Sequence, residues 1–155
     1  MRRALLLAIV TAAITAGSAA ALPPLAGTDP VSGRHVDIAA YRGEPIVVNI
    51  WASWCPGCNQ EARDLAAFER AHRRDAQVIG IDTMDSTDGA KRFYARYGWH
   101  HPSVFDPHGD LAAAWALRGL PTTYFIDRHG NIVAQIIGAG TRAEFEKGLA
   151  LAEAK

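Results

Sequence analysis

The stretch Val47-Val48-Asn49-Ile50-Trp51-Ala52-Ser53-Trp54-Cys55-Pro56-Gly57-Cys58 contains both cysteines of the 155-residue chain, two residues apart. Its first half is short, apolar and rich in Val and Ile, the pattern of a buried strand. Downstream, Ala62, Leu65, Ala66 and Phe68 recur among polar residues, as on an amphipathic helix. Cys-x-x-Cys therefore falls where a strand ends and a helix begins. The first turn of a helix presents unpaired N–H groups and the positive end of the dipole, both of which stabilise an anion. Cys55, at or near the N-cap, is expected to be exposed, with a thiol pKa below the ~8.5 of free cysteine. Cys58, one turn further on, is expected to be partly buried and within reach of the Cys55 sulfur. Pro56 suits a first helical turn, where its missing N–H would have no partner in any case. The residues also admit plainer readings: two structural thiols, an inert staple, or half of a zinc site. Zinc requires about four ligands, and no second cysteine pair exists to supply them.

Outward from this stretch, composition sets the bounds. With 49% hydrophobic residues the chain can build one substantial core. Its 16 basic and 16 acidic residues cancel, and no basic patch argues for nucleic acid. At the N-terminus, Arg2-Arg3 precedes an apolar run from Ala4 to Ala16 and then Gly17-Ser18-Ala19-Ala20-Ala21. A basic start, a short apolar run and an Ala-x-Ala end form the pattern of a secretory signal peptide. The run is shorter than the ~20 residues of a membrane span. Residues 1–21 are thus expected to be removed after Ala21, an uncleaved anchor being the alternative. The mature protein is then expected outside the cytoplasm, where disulfides persist.

Residues 22–35 read as a lead-in, irregular from Leu22 to Pro30, with a short strand or hairpin around Gly33 within Val31 to Gly43, and 36–155 read as one domain. Pro45 precedes a strand from Ile46 to Ala52, and a helix follows from about Pro56 to Arg73. A second buried strand spans Ala76 to Asp82, and Ser86-Thr87-Asp88 opens a helix that stops at Gly98. Ser103 to Asp106 is a brief extended piece, and Asp110 to Leu117 a short helix. Thr122 to Asp127 and Ile132 to Ile137 form a hairpin around Gly130-Asn131. Thr141 and Glu144 have capping-box spacing and start the last helix. This alternation predicts an α/β fold: a central mixed sheet, parallel early and antiparallel late, with helices on both faces.

In this order the chain resembles the thioredoxin-like superfamily, and within it the extracytoplasmic TlpA/ResA/DsbE-type thiol-disulfide oxidoreductases. The resemblance rests on Val47 to Cys58, on Glu61, on Gly119-Leu120-Pro121-Thr122-Thr123-Tyr124-Phe125-Ile126-Asp127, on the Gly130-Asn131 turn and on Gly138. It implies a thioredoxin-like fold and a redox-active Cys55–Cys58 disulfide exchanging with protein thiols or disulfides. Trp54, Pro56, Leu120 and Pro121 would contact the substrate. The matching proline is cis in that family, which would leave the Leu120 backbone free to pair with an extended substrate segment. From the residues alone, Pro121 could equally be a trans proline opening a strand.

Glu61 lies one turn after Cys58, where TlpA-like proteins carry a glutamate, while Asn49 replaces the aspartate of ordinary thioredoxins. The resemblance gives Glu61 the task of exchanging a proton with Cys58. The plainer reading is an exposed helix glutamate, and Ala62, where relatives have proline, bears on how deep Glu61 lies. Met84 and His100-His101-Pro102 are expected on loops at the rim of the cleft.

The resemblance further implies no cofactor, no metal and a monomer, recycled by a membrane or periplasmic electron-transfer partner. It implies a periplasmic or otherwise extracytoplasmic reductase, in cytochrome c maturation or a related redox pathway. An oxidase of secreted proteins and a copper(I) metallochaperone are the alternatives. A peroxidase is disfavoured because Ala52, not Thr or Ser, stands three residues before Cys55.

Overall fold

The computed structural model describes residues 22–154, so the expected signal segment lies outside the described residues. Among the described residues seven strands and four α-helices follow one another, with a 3-10 turn at Ile38–Tyr41: β1 (Ala26–Thr28), β2 (His35–Asp37), β3 (Ile46–Trp51), α1 (Pro56–His72), β4 (Gln77–Thr83), α2 (Thr87–Tyr97), β5 (Ser103–Asp106), α3 (Asp110–Ala114), β6 (Thr122–Ile126), β7 (Ile132–Ile137) and α4 (Arg142–Glu153). The main sheet has the order β5-β4-β3-β6-β7. β3, β4 and β5 run parallel, whereas β6 is antiparallel to β3 and β7 to β6. This is the mixed sheet the alternation predicts, and β3 lies at its centre with all six residues buried.

Period-two alternation divides β3 between two cores. Val47 and Trp51 face one core with Phe68, Phe93, Phe125 and Phe145, built against α1, α2 and α4. Val48 and Ile50 face the other with Ile79, Ile81, Val104 and Trp115, covered by α3 and the β1–β2 hairpin. Helix ends follow their local chemistry. Ser86 caps α2 through Gly89 N–H at 3.1 Å, and Gly98 ends it in the left-handed region at φ 67°. Thr141 and Glu144 close the expected capping box at α4.

Two expectations need correction. The lead-in is not wholly irregular, because β1 pairs antiparallel with β2 from Ala26↔Asp37 to Thr28↔His35. The hairpin around Gly33 is present as expected, but its first strand falls at Ala26–Thr28, where three residues carry too little alternation to read and the deciding feature is tertiary. A Cβ on Gly27 would come 2.6 Å from Val104 Cγ1, so glycine lets β1 lie directly on the core. α3 ends at Ala114 rather than Leu117, because Ala116 takes a positive φ of 53° that breaks the helix. The β6–β7 hairpin turns at Gly130-Asn131 as expected, and the turn is held by Asp127. Its Oδ1 accepts the N–H groups of His129 at 2.9 Å and Asn131 at 2.8 Å.

Candidate active site

The end of β3 is anchored by Trp51, fully buried, with its ring centroid 4.7 Å from that of Phe93 and 5.0 Å from that of Trp99. Trp51 Nε1 donates to Ser103 Oγ at 3.1 Å. Beyond it the chain turns once, with Cys55 N–H bonded to Ala52 C=O at 3.2 Å. The β4–α2 loop holds this turn from outside. Asp85 accepts the Ser53 N–H and, at 2.8 Å, the Ser53 hydroxyl, while Trp54 Nε1 donates to Met84 C=O at 2.9 Å. From α1, Asn59 Nδ2 donates to Ser53 C=O at 3.0 Å and to Cys55 C=O at 2.8 Å.

Cys55 is the N-cap of α1, and its sulfur accepts the Cys58 N–H at 3.1 Å. The two cysteines form a disulfide with Cα atoms 5.2 Å apart. Contrary to expectation, Cys55 is not exposed: the residue is 2% accessible, and Cys58 fully buried. The surface here belongs to Trp54, 57% exposed, and to Pro56, while Cys55 is turned inward to its partner sulfur. Opposite lies the Leu120–Pro121 bond, which is cis. Contact there is close, since a Cβ on Gly57 would sit 3.0 Å from Pro121 Cδ and 3.6 Å from Leu120 O. Pro121 C=O in turn accepts the Gly138 N–H at 2.8 Å, tying this loop to the end of β7.

Glu61 is buried, at 1% exposure, despite Ala62 in the following position. Ala62 is itself fully buried, its small side chain letting α1 lie close on the sheet, and its C=O takes the Trp99 Nε1–H at 2.8 Å. Glu61 Oε1 accepts from Asn49 Nδ2 at 2.9 Å and Oε2 from Gly140 N–H at 2.7 Å. Burial pushes its carboxyl up to about 7, against the opposing pull of the hydrogen bonds from Gly140 and Asn49. Asn49 also donates to Thr123 Oγ1 at 2.9 Å, linking β3, α1 and β6 under the dithiol. Glu61 is thus a buried acid rather than the exposed helix glutamate of the plainer reading, and it holds a proton near neutral pH.

Met84 lies at the rim as expected, 50% exposed. His101 does not: it is 3% exposed, its ring centroid 4.5 Å from that of Trp99 and its Nδ1 3.0 Å from Glu69 Oε2. Glu69 is three turns beyond Cys58 along α1, about 16 Å at 1.5 Å per residue. Trp99 and Tyr94 draw His101 into their own aromatic cluster, away from the dithiol. Among the described residues no three His, Cys, Asp or Glu side chains converge as a metal site.

Sequence reasoning passed over Asp82. It sits on β4 in register with Trp51, fully buried, and neither carboxylate oxygen has a hydrogen-bond partner. Burial first, and then the charges of Asp85, Asp106 and Asp29, push its carboxyl up to about 8. The signal was an acid sharing a face with Val78 and Gly80 inside a strand that otherwise reads as buried. Asp85 was passed over as well, since an aspartate before a helix cap reads as an ordinary turn residue.

A Redoxin family model matches residues 15–149. The thiol-disulfide oxidoreductase ResA of Bacillus thuringiensis (strain Al Hakam) is 26% identical over 117 residues, 75% of this chain and 68% of the relative. The thiol:disulfide interchange protein DsbE of Allochromatium vinosum is 35% identical over 97 residues, 62% of this chain and 52% of the relative. Among solved structures, a secreted Mycobacterium tuberculosis disulfide oxidoreductase homologous to Escherichia coli DsbE superposes with a TM-score of 0.74 and 25% identity. The match covers 81% of this chain and 93% of that one.

Proposed function

The chain belongs to the Redoxin family, and we propose that it acts outside the cytoplasm as a reductase of protein disulfides, in cytochrome c maturation or a related redox pathway. It is a thiol-disulfide oxidoreductase of the ResA/DsbE type, and the finer assignment of direction, pathway and compartment is our reading. The observation that carries it is the Cys55–Cys58 disulfide spanning the first turn of α1, with the Cys58 N–H aimed at the Cys55 sulfur at 3.1 Å.

The same N–H and the helix dipole would stabilise a Cys55 thiolate once the bond is reduced. That thiolate attacks a partner disulfide, forming a Cys55–partner bond and expelling the partner's other sulfur as a thiol. Cys58 then displaces the partner from Cys55, leaving the partner as a dithiol and this protein as the disulfide. The Cys58 proton must leave at this second step. Glu61, one helical turn away and held by Asn49 and Gly140, is a nearby group whose proton affinity, with pKa about 7, suits that transfer.

Trp54, Pro56, Leu120 and Pro121 frame the approach. Trp54 and Pro56 carry exposed surface beside Cys55, and the Leu120–Pro121 loop abuts Gly57. The proposed compartment is supported by the basic-apolar-Ala-x-Ala start of the sequence and by the secreted mycobacterial neighbour. Among the described residues no helix is long and apolar enough to cross a membrane. The reduction potential of the Cys55–Cys58 couple tests the direction. A value near about −270 mV, that of thioredoxin, fits a reductase, and one near about −120 mV, that of a strong oxidant, overturns that direction.

A further inference from the structure

Beside the dithiol, on the flank away from Pro121, lies a cavity of about 350 Å³ lined by Ser53, Asn59, Gly89, Arg92, Phe93 and Arg96. Two of its walls adjoin the cysteines in sequence, Ser53 before them and Asn59 after them. Ser53 immediately precedes Trp54 and Cys55, and Asn59 donates to the Cys55 C=O at 2.8 Å. Its opposite wall is α2, which approaches closely because residue 89 is glycine. A Cβ there would come 2.4 Å from Ser53 Oγ and 2.6 Å from Asp85 Oδ1.

Two exposed arginines, Arg92 and Arg96, line this cavity. Four residues apart on α2, they occupy one helix face, where like charges repel. Neither forms a salt bridge among the described residues. The acids nearest in sequence do not neutralise the pair. Asp85 is turned to Ser53 and Ser86, and Asp88, one turn before Arg92, makes no ion pair with it. The Arg96 guanidinium lies 5.3 Å from the Tyr97 ring centroid. The Tyr97 hydroxyl donates to Asn59 Oδ1 at 2.8 Å. A path of contacts thus runs from the arginine shelf through Tyr97 and Asn59 to the backbone of Cys55.

From this arrangement we propose that the Arg92–Arg96 cavity is a specificity subsite that takes a carboxylate side chain of the partner polypeptide, close in sequence to its reacting cysteine. A guanidinium pair matches carboxylate oxygens through charge-assisted, directional hydrogen bonds. A carboxylate seated between the two also relieves their mutual repulsion. An extended partner crossing Trp54 with its sulfur at Cys55 would bring a side chain two or three residues away over this cavity. The inference rests on the exchange reading above and names the class of sequence that reading favours.

The test uses protein first reduced with dithiothreitol and freed of it, and two neutral-capped peptides, each carrying one cysteine as its 2-pyridyl disulfide, with either Glu or Gln three residues from the cysteine. The Cys55 thiolate attacks the peptide sulfur, the peptide–pyridyl S–S bond breaks, and pyridine-2-thione leaves with a proton. Cys58 then releases the peptide as a thiol and leaves the protein oxidised. In wild-type protein at low salt, the single-turnover second-order rate constant for thione release should favour the Glu peptide by about fivefold, the scale of one well-placed ion pair. The ratio should fall to about one in Arg92→Gln/Arg96→Gln and be partly restored in Arg92→Lys/Arg96→Lys. It should also shrink towards one in about 1 M salt, where screening acts within about 3 Å. Equal wild-type rates for the two peptides, or a preference that survives Arg92→Gln/Arg96→Gln, would overturn the subsite while leaving exchange intact. Failure of the wild-type protein to release thione from either peptide would overturn the exchange reading and the subsite with it.

Discussion

Replacing Glu61 by Gln keeps the size and the planar end group but removes the ionisation. Glu61 is protonated up to about pH 7 in the folded protein, against an ordinary 4.5, because burial disfavours its anion. In the unfolded chain the carboxyl ionises near its ordinary value. Between the two, the native state holds a proton that the unfolded state has lost, so stability falls as pH rises through this window and levels off above it. At about 1.36 kcal/mol per unit, the wild type should lose about 3 kcal/mol from this residue between about pH 4 and pH 8. Glu61→Gln loses none of it. The substituted amide can be accommodated if Asn49 rotates its own. Asn49 Oδ1, which has no partner, then accepts from the new amide while the Gly140 N–H keeps its acceptor. Urea unfolding of the disulfide form, in which the cysteines do not titrate, isolates the effect. Identical pH dependence in the two proteins would refute the account of Glu61 as a buried, proton-holding acid. In the reduced protein the same variant should slow the Cys58 step between about pH 6 and 8 and leave the first attack by Cys55 less affected. Single-turnover exchange followed against pH reports both steps.

Asp82→Asn should raise stability at about pH 9 by a few kcal/mol, because the wild-type carboxyl keeps its proton until about pH 8 when folded but ionises near 3.8 when unfolded. An unchanged urea midpoint at that pH would show that Asp82 is not buried without partners. Gly148→Ala should cost about 1–3 kcal/mol, since its Cβ would lie 2.4 Å from Phe125 Cε2 and Cζ in the core. A loss under about 0.5 kcal/mol in urea unfolding would mean that α4 does not pack so closely on β6. Asp85→Ala removes the acceptor for the Ser53 N–H and hydroxyl, and should leave the turn before Cys55 looser. Faster amide exchange at Ser53 is the expected sign, and unchanged protection there contradicts it.

The strand–turn–helix around Cys55 was legible because local chemistry and tertiary structure agree there. Val and Ile fill a buried strand, proline opens the helix, and the cysteines span one turn. The cap at Thr141 and the stop at Gly98 were legible for the same reason, each being written in a few adjacent residues. What escaped depends on partners far away in sequence. β1 lies against the core only because Gly27 leaves room for Val104, and His101 is buried because Trp99 and Glu69 meet it. Asp82 was passed over because strand patterning reports that a position faces inward, not whether the groups it meets can satisfy it. The burial of Cys55 has the same origin, since an N-cap position speaks for the helix end and not for the neighbours that cover the sulfur.

The division of labour between the two cysteines is the centre of the account, and mass spectrometry of the mixed disulfides formed with a defined peptide disulfide tests it most directly. Reduced Cys58→Ser should accumulate one peptide bonded to Cys55, because nothing remains to displace it. Reduced Cys55→Ser should accumulate almost none, because Cys58 lacks the N-cap position and the donated N–H that stabilise a thiolate at Cys55. Equal adducts on both variants, or an adduct only on Cys58 in Cys55→Ser, would contradict the account.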